Sequence, residues 1–76
     1  MAMQLTLVES SNIEAVGYDK KKLTLTVKFW RGGIYNYTPF TESAYQDFLR
    51  SESLGSWFYK NVKSNNLITA TKVEGL

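Results

Sequence analysis

Hydrophobic and polar positions alternate most cleanly over residues 23–30. Leu23, Leu25, Val27 and Phe29 fall on one side, and Thr24, Thr26, Lys28 and Trp30 on the other. A period of two with β-branched residues predicts a half-buried strand. Residues 13–18 read as the strand before it. Asp19-Lys20-Lys21-Lys22 lies between them as a polar turn, with Asp19 placed to accept from backbone amides ahead of it. Residues 34–38 read as the following strand. Pro39 lacks an amide and belongs at a strand end or on an edge. A short lead-in strand at residues 4–8 precedes a turn at Ser10-Ser11-Asn12, and residues 67–73 have the composition of a last strand.

The hairpin around Gly32-Gly33 has two possible registers. A two-residue turn pairs Trp30 with Tyr35 and puts both Tyr35 and Tyr37 on the polar face. A three-residue loop, Arg31-Gly32-Gly33 with Gly33 left-handed, pairs Phe29 with Tyr35 and Val27 with Tyr37. A one-residue slip moves every side chain to the other face. Patterning therefore favours the three-residue loop, with both tyrosines on the apolar face.

After Pro39 the period changes from two to helical. Ala44, Tyr45, Phe48 and Leu49 form one apolar stripe behind Thr41, an N-cap residue, and Glu42, which suits the positive end of the helix. Ser53 can cap a second helix running to about Val62, with Leu54, Phe58 and Val62 at four-residue steps. Gly55 in its first turn is either a weak point or a site of close packing. The fold class this predicts is α+β: an antiparallel meander of three or more strands with two consecutive helices packed on one face. The expected core is Leu23, Leu25, Val27, Phe29, Tyr35, Tyr37, Phe48, Leu49 and Phe58.

The whole chain, residues 1–76, makes one domain, and its 43% hydrophobic and 14% aromatic content is ample for a single core. Nine Lys and Arg against seven Asp and Glu leave a net charge of +2, too mild to require a polyanionic partner. With no cysteine there is no disulfide framework and no thiolate metal site. With no histidine the usual neutral-pH base and the commonest metal ligand are missing. No paired carboxylates or activated nucleophile are visible, so the expectation is a protein that is not an enzyme and needs no metal or cofactor. The start carries no signal-peptide pattern and no apolar run spans a bilayer, which gives a cytoplasmic expectation with no membrane partner.

The ordered set Ser11, Ile13, Gly17-Tyr18-Asp19, Leu23, Leu25, Val27, Phe29, Gly33, Tyr35, Tyr37, Tyr45, Leu49, Ser53, Gly55, Phe58, Val62 and Lys63 resembles the KTSC domain. That small module is named for its place at the C-terminus of some lysyl-tRNA synthetases and also occurs as a stand-alone bacterial and phage protein. The resemblance covers about residues 10–64. It departs at Tyr59, where the family pattern has asparagine, and at Lys20-Lys21-Lys22, where proline and glycine types are common. The tail from Asn65 has no assigned counterpart. The resemblance implies RNA binding, suggested by the synthetase context.

Candidate binding residues follow from ring and charge. Trp30 sits between Lys28 and Arg31, with Ile34 and Asn36 across the hairpin. A ring for stacking beside cations for phosphates suits a single-stranded nucleic acid. Burial under a terminal segment or a second subunit suits the same tryptophan. Lys20, Lys21 and Lys22 can meet phosphate or act as a solvated turn. Lys60 and Lys63, one helical turn apart, can extend a basic surface or simply favour a helix C-terminus. Tyr35 and Tyr37 read as core with their hydroxyls at the rim, and Ser53 as a cap. Two partner classes remain: RNA, or a host or self protein meeting an outer face built from Val16, Tyr18, Trp30 and Ile34.

Overall fold

The computed structural model describes residues 5–73. The elements are β1 (Thr6–Leu7), β2 (Ile13–Asp19), β3 (Thr24–Phe29), β4 (Gly33–Thr38), α1 (Glu42–Arg50), α2 (Leu54–Phe58) and β5 (Thr69–Lys72). The five strands form one antiparallel sheet in the order β1-β2-β3-β4-β5, so every strand lies beside its neighbour in sequence. Both helices follow β4 and cover one face of the sheet. This is the expected α+β meander, with the terminal strands added at its two edges.

Local chemistry sets the boundaries. Asp19 Oδ1 accepts from the amides of Lys21 and Lys22 and closes the β2–β3 turn. Thr41 Oγ1 accepts from the Ala44 amide at 3.1 Å and starts α1, with Glu42 in its first turn and Arg50 in its last. Ser53 Oγ caps α2 through the Ser56 amide. α2 does not run on as an α-helix. It passes into a π-helical turn over Tyr59–Lys63, closed where the Ser64 amide donates to the Tyr59 carbonyl. Val62 still reaches the core, as the four-residue spacing required.

The core contains Ile13, Val16, Leu25, Val27, Tyr37, Phe40, Phe48, Phe58 and Val62. Phe58 sits at its centre, with its ring edge-on to Tyr37 at 5.0 Å and to Phe29 at 5.6 Å. Phe48 packs against Phe58 and Trp57. Phe29 and Tyr35 are half-buried at the margin.

Four sequence expectations need correction. Leu23 is not core: it has φ +49°, stands 42% exposed, and ends the turn before β3. Its carbonyl is the important group, accepting from the Phe40 amide at 2.8 Å and from Thr38 Oγ1 at 3.0 Å. Leu49 is also not core: it stands 43% exposed, and Phe48 is the one buried residue of α1. Val16 and Tyr18 face the helices, not the outside. A bulge between Ile13 and Ala15 puts an extra residue into β2 and reverses its phase, so Val16 is fully buried opposite Val27. Tyr18 stacks on Tyr45 and donates its hydroxyl to the Phe40 carbonyl at 2.6 Å.

The hairpin register is the fourth. Both tyrosines share the apolar face as expected, but Val27 pairs with Tyr35 and Leu25 with Tyr37, while Phe29 pairs with Gly33. The turn is Trp30-Arg31-Gly32, one residue earlier than expected. Gly33, at φ +81°, is already the first residue of β4. The pairing has slid by two residues, which preserves the face and changes the partners.

Candidate functional site

Where the β3–β4 turn meets the π-helical turn and β5, the helix side of the sheet opens into a cleft of about 790 Å³. Each wall has a separate origin. Phe29, Tyr35 and Tyr37 form the floor, because the hairpin register puts them on the helix side. Trp30 and Arg31 come from the turn. Val62 and Lys63 are brought in by the π-helical turn, and Ile68 and Ala70 by the approach to β5.

Trp30 is held in place from two directions. Its backbone N–H donates to the Asn12 carbonyl at 3.0 Å, and its indole N–H donates to the Ser10 carbonyl at 3.1 Å. The residue remains 56% exposed. Fixing the edge of the indole while leaving the ring accessible makes a preorganised stacking surface.

Arg31 and Lys63 give the cleft its charge, and no carboxylate is among its lining residues. The ion pairs among the described residues are elsewhere, between Lys20 and Glu42 and between Lys28 and Glu14. The positive charge of Arg31 and Lys63 is therefore not neutralised by any described side chain.

The other residues expected at a site lie apart from it. Lys28, Ile34 and Asn36 are on the opposite face of the sheet, since Lys28 pairs with Ile34 and Thr26 with Asn36. Lys28 Nζ is 3.3 Å from Glu14, and Asn36 Oδ1 accepts from Thr26 Oγ1 at 2.6 Å. Lys20, Lys21 and Lys22 occupy the β2–β3 turn, at the other end of β3 from Trp30, and Lys20 faces Glu42. Lys60 lines a second, smaller depression with Ser10, Ser53 and Tyr59. Of the ten candidates, Trp30, Arg31 and Lys63 converge. Sequence reasoning missed Ser11, Asn12, Ile68 and Ala70 as wall residues. No local pattern marks them, because they reach the cleft only through the packing of both ends of the domain.

Tyr37 gives the cleft floor a measurable signature. Burial, with a smaller effect from the neighbouring Tyr35 phenol, pushes its pKa up to about 12. In the unfolded chain the value is about 10. The folded state thus holds the proton more tightly. The resulting stability is complete below about pH 10 and is lost as the pH rises toward 12. Tyr37→Phe removes the titrating group. Between about pH 8 and pH 11.5 it should lose less stability than the wild type, by about 1–2 kcal/mol, in urea unfolding curves. Equal losses in the two proteins would show that the Tyr37 hydroxyl is not buried on folding.

Comparison with known proteins agrees with this architecture. The family model of the KTSC domain matches residues 9–65. A protein of Tsukamurella paurometabola is 39% identical over 56 residues, covering 74% of this chain and 84% of the relative. The crystal structure of a KTSC domain protein from Yersinia pestis superposes with a TM-score of 0.88 at 33% identity, covering 95% of this chain and 99% of that one. That coverage extends beyond the family match and includes most of the tail from Asn65, which the sequence resemblance left without a counterpart. The meander, the two consecutive helices and the matched residues together make this chain a member of the KTSC domain family.

Proposed function

We propose that this domain is a non-catalytic module that binds single-stranded RNA in the cleft beside the β3–β4 turn. One observation carries the reading: an exposed, hydrogen-bonded indole and two cations without described carboxylate partners surround one open, aromatic-floored cleft. A base stacked on Trp30 contributes affinity without requiring a particular sequence. Arg31 and Lys63 meet the flanking phosphates and set position along the strand. The synthetase association of the family points the same way.

Salt dependence tests the proposal. If two phosphates are neutralised, the affinity for labelled oligouridine should fall about sevenfold between about 50 and about 200 mM salt, on the slope expected for single strands. Fluorescence anisotropy measures this directly. No salt-sensitive binding with protein at tens of micromolar would refute it.

A further inference from the structure

Among the described residues, no strand pairs with the outer edge of β5. β5 pairs with β4 on one side, and all four of its residues are exposed. The Val73 amide donates to the Ile34 carbonyl at 2.8 Å. In an antiparallel pair the bonded positions alternate. Thr71 and Thr69 therefore also turn their main-chain groups toward β4, while Ala70 and Lys72 turn theirs outward. Two residues thus offer two donors and two acceptors along an open strand, a template for one more strand.

Side chains decide what kind of strand fits. Ala70 and Lys72 pair with Tyr37 and Tyr35 and so lie on the helix side, where Ala70 lines the cleft. In an added strand, the residue facing Ala70 would hang at the cleft mouth beside Ile68, where a small neighbour leaves room for an apolar group. The residue facing Lys72, two positions away, would lie beside its ammonium group. Lys72 has no ion pair among the described residues, and Arg31 and Lys63 add positive charge to the cleft that Ala70 lines. A second copy of the chain is a poor occupant, since antiparallel self-pairing would join two basic edges, and an edge lysine is a known guard against this. We infer that β5 accepts an extended acidic peptide as a sixth strand, with an apolar side chain facing Ala70 and a carboxylate facing Lys72. The inference does not rest on the RNA reading, and the two are probed by different variants.

The test uses a labelled synthetic threonine–valine peptide carrying glutamate and leucine two positions apart, and a control with lysine replacing the glutamate. Binding is followed by anisotropy and by amide exchange in NMR. The glutamate peptide should bind, slow exchange at the Ala70 and Lys72 amides, and leave Thr71 little changed. Ala70→Pro removes an outward donor that β4 does not use, a change edge strands tolerate. It should weaken binding about threefold to tenfold, as expected for one lost hydrogen bond. Lys72→Glu should reverse the preference between the two peptides. It keeps the test decisive if the proline variant misfolds, and far-UV circular dichroism monitors folding in both. Absence of binding would overturn the inference, as would binding that neither substitution alters. Concentration-dependent protection of these amides in the free protein would assign the edge to a second copy, and protection by oligouridine would assign it to RNA. Either result would overturn it as well.

Discussion

Phe48→Ala is expected to remove about a quarter or more of the stability of the domain. Phe48 is fully buried and is the one buried residue on α1. Its ring lies 5.4 Å from Trp57 and 6.4 Å from Phe58, so it joins α1 to α2, and it shares one core cluster with Val16, Leu25 and Val27 of the sheet. Truncating a buried phenylalanine costs about 3–5 kcal/mol, part from lost transfer energy and part from the cavity. A chain of this length has roughly 4–11 kcal/mol in total. Urea unfolding should show the midpoint falling by a corresponding fraction, with Phe48→Leu costing much less because it retains most of the volume. Leu49→Ala is the internal control. That neighbour is 43% exposed, and its truncation should cost under about 1 kcal/mol. Similar costs at the two positions would mean that α1 docks in a different rotation.

Trp30→Ala is expected to have the largest effect on the proposed RNA binding, with little loss of fold. Loss of one stacking platform costs about 1–3 kcal/mol, roughly fivefold to 150-fold in affinity. The backbone N–H of residue 30 still reaches the Asn12 carbonyl in the variant, so the turn keeps its main-chain anchor. The side chain gives up only the indole bond to Ser10 and a partly exposed surface. Trp30→Phe should restore part of the affinity, since it keeps a ring and loses the edge that fixes it. Full restoration would show that the Ser10 bond contributes nothing. Unchanged affinity in Trp30→Ala, with oligouridine still binding in a salt-sensitive way, would move the RNA off the cleft.

The parts of this fold legible in the sequence are those where period and position agree. Leu25, Val27 and Phe29 announced β3 and its apolar face, and Thr41 and Ser53 announced the helix starts, because these signals are local. Leu23 continues the same alternation, yet the chain has not left the turn there, and its carbonyl matters more than its side chain. Simple alternation puts Val16 and Tyr18 outside because it cannot register a bulge, whose extra residue reverses the phase of everything after it. The candidate site was legible as a ring with cations and illegible as a place. Lys28 and Arg31 are three positions apart in sequence and equivalent in charge, but one lies on the outer face against Glu14 and the other turns into the cleft. Lys63 joins it from a distant segment only because the π-helical turn brings it there.

The strand order has an architectural consequence. A meander in which β1 and β5 occupy opposite edges lets the polypeptide enter at one side and leave at the other. Four inter-strand steps separate them, roughly 19 Å at the usual strand spacing. The start of β1 is thus a full sheet width from Lys72, whereas Val73, which follows β5, is next to it. Surface immobilisation or fluorescent fusion through the N-terminal side is accordingly the orientation that leaves both the tryptophan cleft and the β5 edge facing solution.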